Sequence, residues 1–255
     1  MIRTGSFVTG DMTQVELCPV RATCPVGALC AAGSKTEDMP LYPAIEVVER
    51  GQLVWTDVRC EQRVYVVRQG VLACIPNFDR DESVVTSLYG SGYSIGLAEL
   101  YVPRSVAATY HLHALTDGQL CSFPAKAFKR HLETLPGCES QRILSCAFTN
   151  IVEAGCAQLR TVSKTSLYER IALLLARLRN LSRQQGSDLS EVKLTHEEIA
   201  ELVASDRASV TRALHKLKED GTIELGYKTI TLTEAFKNYA DSCVDMFANF
   251  QMPTT

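Results

Sequence analysis

The chain has 255 residues, 46% of them hydrophobic, and its 26 Lys and Arg against 29 Asp and Glu leave a net charge of −3. That balance argues against a general nucleic-acid coat but allows one local basic surface. No run of about 18 apolar residues is present to span a membrane, and residues 1–30 lack the order of a secretory signal, so the expected location is the cytoplasm. In that compartment the ten cysteines read as buried apolar residues, or as metal ligands where they cluster, rather than as disulfides.

Residues 1–40 show no periodic element and hold Cys18, Cys24 and Cys30 among prolines and glycines, so they read as an irregular Cys-containing segment. Residues 41–137 change character. The run Arg63 to Ile75 is rich in β-branched and aromatic residues and breaks at Gly70; Val84 to Tyr89, Ser105 to Leu115 and Gln119 to Phe123 read similarly. Short strands with glycine turns predict a small barrel or β-roll. Ala125 to Leu135 reads as a short helix stopped near Pro136-Gly137.

A long helix is expected across 138–162. Leu144, Ala147, Phe148, Ile151, Ala154 and Leu159 fall on one stripe with near-heptad spacing. Leu144, Phe148 and Ile151 are the residues expected at a homodimer seam. Leu167, Ile171, Leu174, Leu178 and Leu181 mark a further amphipathic helix, followed by a polar loop at Gln184 to Ser187.

Thr195-His-Glu-Glu198 has the form of a capping box and opens a helix through Val203. A turn at Ala204-Ser205-Asp206 precedes a second helix, with Ser205 as its expected N-cap. That helix turns Val210, Leu214 and Leu217 inward. Its other face shows Arg207, Ser209, Thr211, Arg212, His215, Lys216 and Lys218, and no acidic residue lies between Arg207 and Lys218. Cationic and hydroxyl side chains near the start of such a helix suit base edges, and the later lysines suit phosphates. Ile223 to Leu225 and Ile230 to Leu232 alternate around Gly226-Tyr-Lys228, which reads as a hairpin wing. A plain helical pair with a solvated charged face is the rival reading. Cap, turn, one-sided charge and hairpin in this order favour DNA binding.

These motifs resemble the CRP/FNR superfamily of bacterial regulators over nearly the whole chain. Thr195 to Val203 and Ser205 to Leu214 are similar to that family's two DNA-binding helices, and Gly221 to Leu232 to its wing. The resemblance implies an α+β fold: an N-terminal β-roll sensor domain, a long dimerisation helix, and a winged helix-turn-helix over 163–235, with 236–255 left as a tail. It implies double-stranded DNA with a near-palindromic site and RNA polymerase as partners. It also matches Arg212 to the family Arg that contacts guanine, and sets Ala208 where the FNR branch carries a Glu.

Relatives that bind cyclic AMP carry a Gly-Glu-Leu segment. The corresponding stretch here is Ile95-Gly-Leu-Ala-Glu-Leu100, with Leu97 in place of the Glu, which argues against a cyclic nucleotide. Cys24-x5-Cys30 is similar to the FNR branch, whose members ligate a [4Fe–4S] cluster, and Cys121-Ser-Phe-Pro124 resembles that branch's distant fourth ligand. The usual third position is Arg21, and Cys18 is the replacement. The resemblance thus implies Cys18, Cys24, Cys30 and Cys121 as ligands, a standard thiolate complement for such a cluster. Zinc would need the same four residues but favours closer cysteine pairs.

The expected function is transcription control by oxygen or redox state through that cluster; the alternative is a β-roll that binds a small organic effector. The remaining cysteines read as core or incidental residues, and His111 and His113 as satisfied or exposed histidines. No phosphate loop, paired-carboxylate motif or Cys-His signature points to an enzyme.

Overall fold

The computed structural model describes residues 7–9, 18, 24–27, 43–55, 63–76, 84–97, 100–101, 110–185 and 189–242. The chain divides into two compact units, one of residues 1–79 and 89–152, the other of residues 80–88 and 153–255. The division falls inside the long helix of residues 137–162.

The first unit is an antiparallel β structure. β1 (Phe7–Thr9), β2 (Ala44–Val48), β9 (Gly118–Pro124), β4 (Arg63–Gln69) and β7 (Ser94–Ile95) form one sheet in that order. A second sheet contains the run β3 (Leu53–Trp55), β8 (Tyr110–Ala114) and β5 (Leu72–Pro76). β1 corrects the expectation that residues 1–40 hold no element. Three residues are too few to show a period, and the strand exists through its ladder to Ala44–Glu46. β6 spans only Ser87–Tyr89, shorter than the strand expected from Val84.

Gly118 explains one tight crossing: a Cβ there would lie 2.3 Å from the carbonyl oxygen of Gln69. Only glycine lets β9 run this close to the irregular end of β4, where the register shifts between Val67 and Gln69.

The core of this unit gathers Val26, Ile45, Val64, Val66, Leu97, Cys121 and Phe123 with Phe128 and Leu132 of α1 (Ala125–Thr134). Ile143 and Ala147 of α2 (Gly137–Val162) join the same core.

The second unit is built around α3 (Leu167–Arg183), whose residues from Ile171 to Arg179 are all buried. It packs against α5 (Arg207–Glu219) and α6 (Glu234–Ser242). Two buried polar side chains tie the interior together. Arg177 Nη2 donates to the carbonyls of Leu88 and Ala154, both at 3.1 Å. Gln158 Nε2 donates to those of Val85 at 3.1 Å and Leu202 at 2.8 Å. Burial pushes the Glu153 carboxyl above its ordinary range, and the Arg177 charge opposes that.

α6 occupies residues expected from the sequence to form a tail. It starts at Thr233, whose hydroxyl accepts from the Phe236 amide at 3.3 Å, and it buries Phe236 and Ala240. Asp241 receives Arg179 Nη1 at 2.7 Å and also Arg183. These two guanidiniums hold its carboxyl below the usual range. Residues 243–255 lie outside the described residues.

Candidate DNA-binding surface

The first helix of the pair, α4 (His196–Leu202), begins with the full capping box. The Glu198 amide donates to Thr195 Oγ1 at 3.2 Å, and the Thr195 amide donates back to Glu198 Oε2 at 2.7 Å. Ile199, Ala200 and Leu202 are buried beneath it.

The turn that follows sets the angle between the helices. Ala204 takes φ +50°, a left-handed conformation in which glycine is the unstrained residue. The turn is held because Ser205 N donates to the Ala200 carbonyl at 2.9 Å. Arg170 Nη1 also caps the Val203 and Ala204 carbonyls, both at 3.3 Å.

The N-cap of α5 is Asp206, not Ser205 as the sequence suggested. Asp206 Oδ1 accepts from the Ser209 amide at 2.8 Å. Both residue types cap well; the left-handed Ala204 uses one more residue in the turn and moves the cap along by one. Hydrogen bonds from the Ser209 hydroxyl and amide hold the Asp206 carboxyl below its usual range.

α5 buries Val210, Leu214 and Leu217, while Arg207, Ala208, Arg212, His215, Lys216 and Lys218 are exposed and Ser209 and Thr211 half-exposed. The side chains are partly organised already. Arg212 Nη2 donates to Ser209 Oγ at 2.8 Å. The Thr211 hydroxyl lies 2.9 Å from the Arg207 carbonyl and 2.8 Å from His196 Nδ1. Lys216 Nζ sits 5.6 Å from the centre of the Tyr168 ring. Burial and a hydrogen bond to Asp220 raise the pKa of the Tyr168 phenol.

Gly221, at φ +69°, ends the helix in a left-handed step. The wing is β11 (Ile223–Gly226) with β12 (Thr229–Leu232), and β12 also pairs with β10 (Glu191–Val192). Its tip is Tyr227-Lys228, with Tyr227 88% exposed and Lys228 Nζ 5.5 Å from the Tyr227 ring centre. The tip falls within the Gly226-Tyr-Lys228 turn that the sequence marks, with Gly226 pairing Thr229 across it. Sequence reasoning missed the contact of His196 with α5, which had no signal because it joins two helices.

The stripe expected along α2 resolves into two faces. Ala147 and Ala154, at 1% and 0% exposure, are buried within their own units and leave the seam. Phe148, Val152 and Leu159 are 48%, 57% and 66% exposed, while Leu144 and Ile151 are half-buried. A turn of 3.6 residues separates these positions more finely than the sequence stripe did. Val152 was not anticipated.

Of the cysteines, Cys121 lies in the core of the first unit and Cys24 packs against that core. Cys18 is half-buried, and Cys30 lies outside the described residues. Among the described residues no group of three or more His, Cys, Asp or Glu side chains is placed to hold a metal. So two of the four proposed thiolates share one core, a partial fit to a site of four cysteines. Cys74 is buried as a core residue, while Cys138 is exposed. The rings of His111 and His113 meet edge to face, with centroids 5.0 Å apart.

Comparison with known proteins agrees with this geometry. Residues 169–236 match the Crp-like helix-turn-helix domain. The chain is 25% identical over 191 residues to the global nitrogen regulator of Synechococcus elongatus, covering 74% of this chain and 85% of that protein. FixK2 from Bradyrhizobium japonicum has the same fold at TM-score 0.60 and 13% identity, over 84% of this chain and all of that one. The CRP-family transcriptional regulator TTHB099 from Thermus thermophilus gives TM-score 0.58 and 19% identity, over 77% and 96%. β structure, capped helix pair and wing thus recur together in the solved CRP-type structures; residues 169–236 form a Crp-like helix-turn-helix domain, and the chain is similar over about three quarters of its length to CRP/FNR-type transcription regulators.

Proposed function

We propose that the protein binds a near-palindromic duplex as a homodimer, with α5 of each copy in successive major grooves. The observation that carries this is the one-sided face of α5, where Arg207, Arg212, Lys216 and Lys218 are exposed opposite buried Val210, Leu214 and Leu217. Arg212 and Arg207 are the base-reading cations, Ser205 and Ser209 lie beside them, and Lys216 serves the backbone. Ala208 offers a methyl group where a Glu would accept from cytosine, so the preferred half-site departs from an FNR-type site at that base pair. Phe148, Val152 and Leu159 supply the dimer seam. RNA polymerase is the partner the family resemblance brings with it.

The sensory part of the proposal is a [4Fe–4S] cluster on Cys18, Cys24, Cys30 and Cys121. Its support is the Cys24-x5-Cys30 spacing together with Cys24 and Cys121 meeting at one core. When bound, such a cluster supplies an oxygen- and redox-labile tie between the N-terminal segment and β9.

Selection from randomised duplexes tests the DNA reading: an altered FNR-type half-site is expected, and failure to enrich any sequence overturns it. Iron and sulfide analysis of anaerobic protein tests the cluster. About four of each per monomer are expected, lost in Cys121→Ser; retention in that variant overturns the assignment. Absence of iron from the wild type leaves the organic-effector reading.

A further inference from the structure

His196 is a titratable side chain of α4 that leans on the reading helix. Its Nδ1 lies 2.8 Å from Thr211 Oγ1. The same oxygen sits 2.9 Å from the Arg207 carbonyl. A carbonyl can only accept, so the single Thr211 hydroxyl proton points to Arg207; any other orientation sets two lone pairs face to face. Nδ1 must therefore carry the hydrogen and donate to Thr211. In the neutral ring this leaves Nε2 as a bare acceptor. It becomes a donor only when the ring takes a second proton.

Arg207, Thr211 and His215 succeed one another at four-residue intervals, so they form one row along a flank of α5. The groups that face the imidazole electrostatically are Arg207 and His215 of that row. On its own helix the Glu198 carboxylate is occupied by Thr195. A helix about 10–12 Å across fills a major groove about 12 Å wide. Arg207 stands at the helix start, where side chains reach base edges; further along this flank, Thr211 and His215, with the His196 ring beside them, face the phosphate walls.

We propose that His196 is a proton-coupled phosphate contact, its Nε2 protonated when the duplex docks and neutral when it leaves. This rests on the DNA-reading role of α5 given above. Burial, Arg207 and His215 lower the imidazole pKa in the free protein, so the ring is neutral near pH 7. A phosphate oxygen beside Nε2 raises that pKa. Affinity is then greatest below the pKa of the free protein and declines as pH rises through that of the complex.

The test uses the full chain and a duplex enriched by it from a random pool, at constant salt. Calorimetry in buffers of unlike ionisation enthalpy counts protons. Net proton uptake is expected on binding, with Kd weakening up to about tenfold per pH unit for each engaged ring. His196→Gln keeps a donor for Thr211 but cannot titrate, and its profile is expected to be flat. His196→Arg is expected to be flat and tight. A wild type with no proton uptake overturns the proposal. So does a His196→Gln protein that keeps the pH dependence, or loss of the dependence in His215→Gln instead. Where His196→Gln does not fold, the wild-type proton count and His196→Arg decide. A wild type that enriches no duplex removes the DNA reading itself, and the proposal with it; tight but pH-indifferent binding removes only the role of His196.

Discussion

At φ +50° Ala204 holds a left-handed conformation that costs an L-residue about 1–2 kcal/mol, part of it offset by the lower entropy of an unfolded alanine relative to glycine. Ala204→Gly is therefore expected to stabilise the folded chain by roughly 0.5–1 kcal/mol, read as a higher urea midpoint at unchanged slope. An unchanged or lower midpoint would mean the turn carries no strain. Side chains on the exposed face divide by what they touch. Arg212→Ala removes a donor fork already held by Ser209 and is expected to lose about 1–3 kcal/mol at one guanine, with discrimination lost there. Lys216→Ala is expected to weaken all duplexes alike and to lower the salt slope by about one unit, measured by titrating the same duplexes at several salt concentrations. His196 adds an opposed pair of pH effects. Its lowered pKa makes the neutral ring the favoured folded form, so this contribution to stability is full above the unfolded value near 6.5 and declines as pH falls.

Among the elements, those with long periodic patterns were legible in the sequence and those built by contact were not. The capping box of α4 and the inward triad of α5 declare themselves through local chemistry, and both occur where the spacing put them. β1 has three residues and no period of its own. α6 has only Phe236 and Ala240 as an apolar pair, and its Thr233 cap is the signal that could have revealed it. The shift of the α5 cap from Ser205 to Asp206 was hidden because nothing in the residue type marks Ala204 as left-handed. On α2 the sequence showed a stripe, while the structure separates Ala147 and Ala154 from Phe148, Val152 and Leu159. The interior of the second unit depends on a charge that sequence patterning counts as surface. Arg177, 4% exposed, satisfies two carbonyls and faces the Gln158 amide oxygen. Arg177→Met keeps most of the volume but leaves those acceptors unmet, so a loss of about 2–4 kcal/mol is expected in urea unfolding. A neutral result would show that the carbonyls find other donors.

For the whole molecule, the exposed apolar residues of α2 separate folding from assembly. Val152→Glu replaces a side chain that is 57% exposed, so the monomer is expected to fold as before while the dimer is lost. Facing like charges across a desolvated seam cost several kcal/mol. Sedimentation reads the assembly and circular dichroism the fold. A dimer as tight as wild type would discard the seam, and DNA affinity should fall with the dimer because two half-sites must be engaged at once.

The sole tryptophan of the chain is Trp55, in β3 of the first unit. Indole emission therefore reports one compact unit, whereas α3 to α6, all in the other, dominate far-ultraviolet ellipticity. The protein thus carries two built-in spectroscopic channels with separate addresses. Phe236→Ala, which empties a core site of the second unit, should cost about 3–5 kcal/mol there. It should move the ellipticity transition ahead of the fluorescence transition, an order visible without any added label.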